Sequence, residues 1–136
     1  MAGGSVASMG FLTFLRGQAP VPVPVKQTSD YFIVAGREHH QSELKRLARR
    51  RGWSLPEKVG YRYGLREYVA LVPEPDNPHD KRAIMIQAER MCLGYVPRGE
   101  TARFHRELRA ADAAYLTAEA VFWRDPKGRW AVRVLC

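Results

Sequence analysis

At 136 residues, 46% hydrophobic and 26% charged, the chain has room for one modest core, which excludes a multidomain motor or a large two-lobed enzyme. Its 22 Lys and Arg against 14 Asp and Glu leave a net charge of +8, which suits a polyanion such as nucleic acid or an anionic membrane and fits a cation pocket badly. Two cysteines, Cys92 and Cys136, make no disulfide framework and lack the paired spacing of a structural zinc site, so a reducing, cytoplasmic setting is expected.

Residues 1–29 read as a flexible tail. The apolar stretch 9–15 has no basic residues before it and no small-residue cleavage site after it, which argues against a signal peptide. No run approaches the length needed to span a bilayer, so no membrane partner is expected. Alternating proline and valine at 20–25 form a stiff, extended linker. The domain is expected over residues 30–136. Its first strand is read at 31–36, rich in β-formers and ended by Gly36.

A helix follows over 43–51, stopped by Gly52, with Leu44, Leu47 and Ala48 as its apolar stripe. Lys45, Arg46, Arg49 and Arg50 fall on its other side, a candidate secondary surface for phosphates. A loop carrying Tyr61 and Tyr63 leads to strands at 65–72, 82–87 and 91–96. A second helix is read over 100–111, with Phe104, Leu108 and Ala111 inward and Arg103 and Arg106 outward. Strands at 116–123 and 129–134, joined by a turn around Pro126 and Gly128, complete the chain. Six short strands and two short helices define a mainly β, α+β chain, too small for a doubly wound sheet. They suit a small, six-stranded, partly closed OB-like or SH3-like β-barrel.

The most informative segment joins the second and third strands: Glu74-Pro75-Asp76-Asn77-Pro78-His79-Asp80-Lys81-Arg82. Pro78 disfavours helical backbone at Asn77, so Asn77, His79 and Asp80 are held on a stiff turn between two strands. Taken alone, Asn77 and Asp80 could simply close that turn through side-chain to backbone bonds. With Ala83-Ile84 after it and Gly94-Tyr95-Val96-Pro97-Arg98 further on, however, the segment resembles the HIRAN domain. That module is found at the front of certain Swi/Snf-type DNA translocases and as a free-standing bacterial protein.

The resemblance implies an OB-like barrel that binds single-stranded DNA at a free 3′-hydroxyl end, in repair or replication, beside a separate repair or helicase protein. It implies that Asp80 accepts from the 3′-hydroxyl, while Asn77 braces the turn or contacts the terminal nucleotide. His79 stands where the family usually has a tyrosine against the terminal base, a smaller stacking face. Tyr95 falls at a His or Tyr position and Arg98 at a basic one that meets phosphate. Arg37 and His39 correspond, in a register ambiguous by one residue, to basic and aromatic positions after the first strand.

Physical chemistry points the same way. A carboxylate repels phosphodiester oxygens, but it accepts well from a hydroxyl that only a chain end supplies. Arg98, with Arg37 or Lys81, supplies salt-dependent attraction, and Tyr61, Tyr63 and Tyr95 are candidate stacking surfaces.

Other classes remain open from sequence. Glu74, Asp76 and Asp80 with His79 between them could hold Mg²⁺ in a metal-dependent nuclease. Zinc is an alternative through His39, His40, His79, His105 and Cys92, or a metal through His39, His79 and Asp80. A protein-binding adaptor barrel is a third. With no nucleophile triad, P-loop or dinucleotide-binding glycine pattern, neither catalysis nor a cofactor is expected.

Overall fold

The computed structural model describes residues 22–54 and 64–136. Tyr61 and Tyr63, and the tail up to residue 21, lie outside the described residues. Six strands form one antiparallel sheet: β1 (Tyr31–Ile33), β2 (Leu65–Pro73), β3 (Ile84–Ala88), β4 (Met91–Tyr95), β5 (Leu116–Arg124) and β6 (Trp130–Leu135). Their spatial order is β1-β6-β5-β2-β3-β4. Two helices, α1 (Gln41–Arg51) and α2 (Thr101–Ala111), pack on this curled sheet, giving the small α+β barrel that the sequence implied.

Alternation makes the strands. In β2, Val69 and Leu71 turn into the core while Arg66 and Tyr68 face outward. Ile84 and Ile86 from β3, Leu93 from β4, Leu116 and Phe122 from β5, and Val132 and Val134 from β6 are wholly buried beside them. Helix α1 seats Leu44, Leu47 and Ala48 against this interior and ends at Gly52, whose φ of +68° suits a residue without a Cβ. Helix α2 buries Thr101, Phe104 and Leu108, and Phe104 meets Phe32 edge to face at 5.7 Å. The expected inward residue Ala111 is exposed. The helix ends there, with Asp112 already in left-handed backbone (φ +49°).

Arg103, expected outward, is instead a strut. Its guanidinium donates to the Lys26 carbonyl at 2.6 Å and to Glu107 at 3.2 Å, and it lies over the Phe104 ring. Glu107 is its i+4 neighbour on the helix, but the Lys26 carbonyl comes from the segment before β1, where helical periodicity could not place it. That segment also packs on the sheet. Thr117 donates its N–H to the Val23 carbonyl at 2.8 Å, Val25 donates to the Thr117 carbonyl at 2.9 Å, and Val25 is buried. No helix among the described residues is long and apolar enough to cross a membrane.

The sheet curls until its two edges touch. Just beyond β1, Ala35 exchanges both backbone hydrogen bonds with Tyr95 at the end of β4, each at 2.8 Å. Gly94 permits this approach. A Cβ there would stand 2.4 Å from a Val34 methyl and 2.6 Å from the Ala35 carbonyl oxygen, on backbone at φ +139°. One seam thus closes one end of an otherwise open barrel.

Candidate nucleic-acid interface

A cavity of about 320 Å³ lies at this seam, within the range of small-ligand sites. Ala35, Ala83 and Val96 give it an apolar wall, and Asn77, His79, Asp80, Tyr95 and Arg98 its polar groups. The turn joining β2 to β3 supplies the first three of these, and the end of β4 with the single helical turn Arg98–Glu100 the other two. Five residues singled out from sequence are therefore brought together.

The turn is self-braced. Asn77 Oδ1 accepts the backbone N–H groups of His79 (2.9 Å) and Asp80 (3.1 Å), and its Nδ2 donates to Glu74 Oε1 at 3.0 Å. Between the two roles open to it, Asn77 is occupied as a brace. Backbone bonds from Glu74 to Ala83 (2.9 Å) and from Ala83 to Asp80 (3.1 Å) lock the two ends of the turn together. Asp80 Oδ1 accepts the Arg82 N–H at 2.9 Å, fixing the carboxylate plane. Its other oxygen, Oδ2, faces Arg98 Nε at 3.6 Å. The Asp80 side chain is one-quarter exposed and that of Arg98 is 77% exposed, so a braced, partly sheltered turn carries the carboxylate and a solvated arm carries the cation.

Tyr95 is less free than a stacking surface requires. Its hydroxyl donates to the same Glu74 Oε1 at 2.8 Å. Burial, then that carboxylate, push the phenol above its ordinary value, so it stays a neutral donor. Behind it stand His40, with ring centres 6.3 Å apart, and Cys92, whose thiol is raised chiefly by burial.

The remaining expected residues do not line the cavity. Arg37 follows Gly36 out of the wall and turns to Asp125, 4.0 Å away. His39 is 80% exposed next to Glu38, and it is His40 that faces inward, towards Cys92. Lys81 lies on the outer side of the turn, along a shallow concavity made by residues 75–81. On α1, Arg50 pairs with Glu89 at 2.9 Å and Arg51 with both Glu89 and Glu67, whereas Lys45, Arg46 and Arg49 are exposed. Glu89 is held below the usual carboxylate range by the Arg50 hydrogen bond first and then by Arg51, against some desolvation.

The metal-binding alternatives find no support in the geometry. Among the described residues no three His, Cys, Asp or Glu side chains converge to hold an ion. Glu74 is engaged by Asn77 and Tyr95, Asp80 faces Arg82 and Arg98, and His105 meets the Arg82 carbonyl at 2.9 Å. Ala35 and Gly94 are site-building residues to which sequence reasoning gave no role, and Glu74 and His40, weighed there only as metal ligands, serve instead as a hydrogen-bond acceptor and a neighbour of Tyr95. A glycine inside a strand, such as Gly94, is the signal that could have pointed to a close backbone approach.

A curled barrel with a cavity at its seam, where one carboxylate faces one arginine, is a fold on which nucleic-acid sites can be built. The family model described as the HIRAN domain matches residues 41–136, and the chain belongs to that family of nucleic-acid-binding modules. No curated protein and no solved structure matches the chain.

Proposed function

We propose that this HIRAN domain binds single-stranded DNA at a free 3′-hydroxyl end and serves in repair or replication beside a separate repair or helicase protein. The observation that carries the reading is the state of Asp80. One oxygen is fixed by a backbone amide, while the other faces the solvent-exposed guanidinium of Arg98 in the cavity lining. A terminal hydroxyl supplies the donor that such an oxygen lacks, whereas an internal nucleotide or a phosphorylated end brings negative charge against it.

In the bound state Arg98 moves from Asp80 to the phosphate before the terminal nucleoside, so the cation lost to one anion is regained by another. The exposed His79 ring meets the terminal base, with a smaller face than a tyrosine. Asn77 keeps the turn rigid. Arg37, His39 and Lys81 lie outside the cavity wall and act on phosphates further along the strand.

Short strands ending in 3′-hydroxyl and in 3′-phosphate, titrated in parallel at fixed salt, test this. The hydroxyl end binds about tenfold or more tightly, as expected for one charged hydrogen bond gained and one repulsion avoided. Asp80→Ala brings the two affinities together. Equal binding of both ends by the native protein would leave only a generic cationic surface.

A further inference from the structure

The turn that carries Asp80 and the barrel seam share one side-chain acceptor. Glu74 Oε1 accepts from Tyr95 on the β4 side at 2.8 Å and from Asn77 within the turn at 3.0 Å. Each partner is itself committed. Both backbone groups of Tyr95 form the seam with Ala35, and Asn77 Oδ1 holds the amides of His79 and Asp80. A chain of hydrogen bonds therefore runs Ala35–Tyr95–Glu74–Asn77–Asp80, and Glu74 is its middle link. We infer that Glu74 is a positioning residue, which sets the direction of the Asp80 carboxylate by tying its turn to the closed seam, and that Tyr95 acts through its hydroxyl rather than as a stacking ring.

Three observations favour this over a merely local role. The cavity is bounded on one side by the turn and on the other by Tyr95 and Ala35, so its width at Asp80 depends on the distance between those elements. Two side-chain links cross that width, the solvent-exposed Arg98–Asp80 contact and the more sheltered, shorter Tyr95–Glu74 bond. Tyr95 and Glu74 are both partly buried, so the bond is shielded and costly to leave unmade. Holding the hydroxyl in this way fixes the orientation of the ring in the cavity wall.

The inference rests on the proposed recognition of hydroxyl ends, and its test separates the two. Four variants serve: Glu74→Ala removes the link, Tyr95→Phe removes only the donor and keeps the ring, Tyr95→Ala removes both, and Glu74→Gln keeps an acceptor oxygen. The first readout needs no ligand. Amide hydrogen exchange at His79 and Asp80 quickens in Glu74→Ala and Tyr95→Phe and returns towards native rates in Glu74→Gln. Unchanged exchange in Glu74→Ala and Tyr95→Phe would overturn the positioning role, whatever the DNA results.

The second readout is the ratio of affinities for 3′-hydroxyl and 3′-phosphate strands. It falls about tenfold in Glu74→Ala and several-fold in Tyr95→Phe, and recovers in Glu74→Gln, in line with loss and return of a buried hydrogen bond. A native ratio in Tyr95→Phe with affinity lost only in Tyr95→Ala would make the ring the working part and refute the assignment. Faster exchange in the variants, together with no end preference in the native protein, would retain Glu74 as the brace of the turn and discard end recognition.

Discussion

Asp80 and Asn77 differ by one side-chain atom type, yet the structure gives them opposite tasks. Asn77 needs both a donor and an acceptor, because it takes two amides and gives one hydrogen to Glu74. Asn77→Asp turns that donation into a clash of two carboxylates, and the turn loosens. We expect a loss of about 1–3 kcal/mol, read from chemical unfolding, because a buried hydrogen bond is replaced by repulsion. Asp80→Asn preserves an acceptor for the Arg82 amide but removes the charge opposite Arg98. Affinity for hydroxyl ends falls while affinity for 3′-phosphate ends rises, and paired titrations read both signs in one experiment.

Asp125 carries a pH dependence. Burial acts to raise its pKa, but the amides of Arg129 and Lys127 and the cations Arg129 and Arg37 outweigh burial and hold it below the ordinary value. A lowered carboxyl contributes stability that is present above its unfolded pKa of about 3.9 and is lost as pH falls through the folded value. Acid unfolding of Asp125→Asn is accordingly shallower below about pH 4 than that of the native protein. Because Asp125 also faces Arg37, the same substitution frees that cation next to the cavity wall.

The β3–β4 hairpin and the barrel seam show how backbone geometry decides which elements tolerate change. Glu89 and Arg90 occupy the hairpin turn with φ of +47° and +64°, a conformation that costs ordinary residues about 1–2 kcal/mol each. Glu89 is held there by Arg50 and Arg51 from α1. Arg90 has no such link among the hydrogen bonds and ion pairs of the described residues. Arg90→Gly therefore raises the melting temperature, by about 1 kcal/mol of added stability after the entropy cost of glycine. Gly94→Ala does the reverse. Its Cβ collides with Val34 and the Ala35 carbonyl, so Ala35 and Tyr95 part and the cavity opens. Differential scanning calorimetry and strand titration register both effects, and a stable Gly94→Ala that still discriminates ends would refute the account of the seam.

Across the whole molecule, the charge of +8 sets how binding depends on salt. Arg98→Gln removes one phosphate contact at the cavity and lowers the slope of log affinity against log salt by about 1. For the α1 face the structure selects which residues to reverse. Arg50 is engaged by Glu89, so reversing it disrupts the tie between helix and hairpin before it reports on DNA. Lys45 and Arg49 are exposed. Lys45→Glu with Arg49→Glu leaves stability near native and weakens all strands alike if that face meets phosphates, and an unchanged salt slope removes it from the interface.

Element identity was legible because it is local. Tyr68 to Val72 is a run dominated by β-formers, Leu44, Leu47 and Ala48 recur at helical spacing, and Gly52 and Pro73 mark ends, all properties of neighbouring residues. The turn of Asn77 and Asp80 was legible for the same reason, since Pro78 and the Asx bonds act within four positions. What sequence did not reveal was every relation between segments far apart in the chain. Ala35 reaches Tyr95, Arg103 finds the Lys26 carbonyl, Arg37 leaves the cavity for Asp125, and Glu74 joins the turn to the seam. Such pairings depend on how far the sheet curls, and that curvature is set by the packing of the whole core and by one glycine that lets two edges meet.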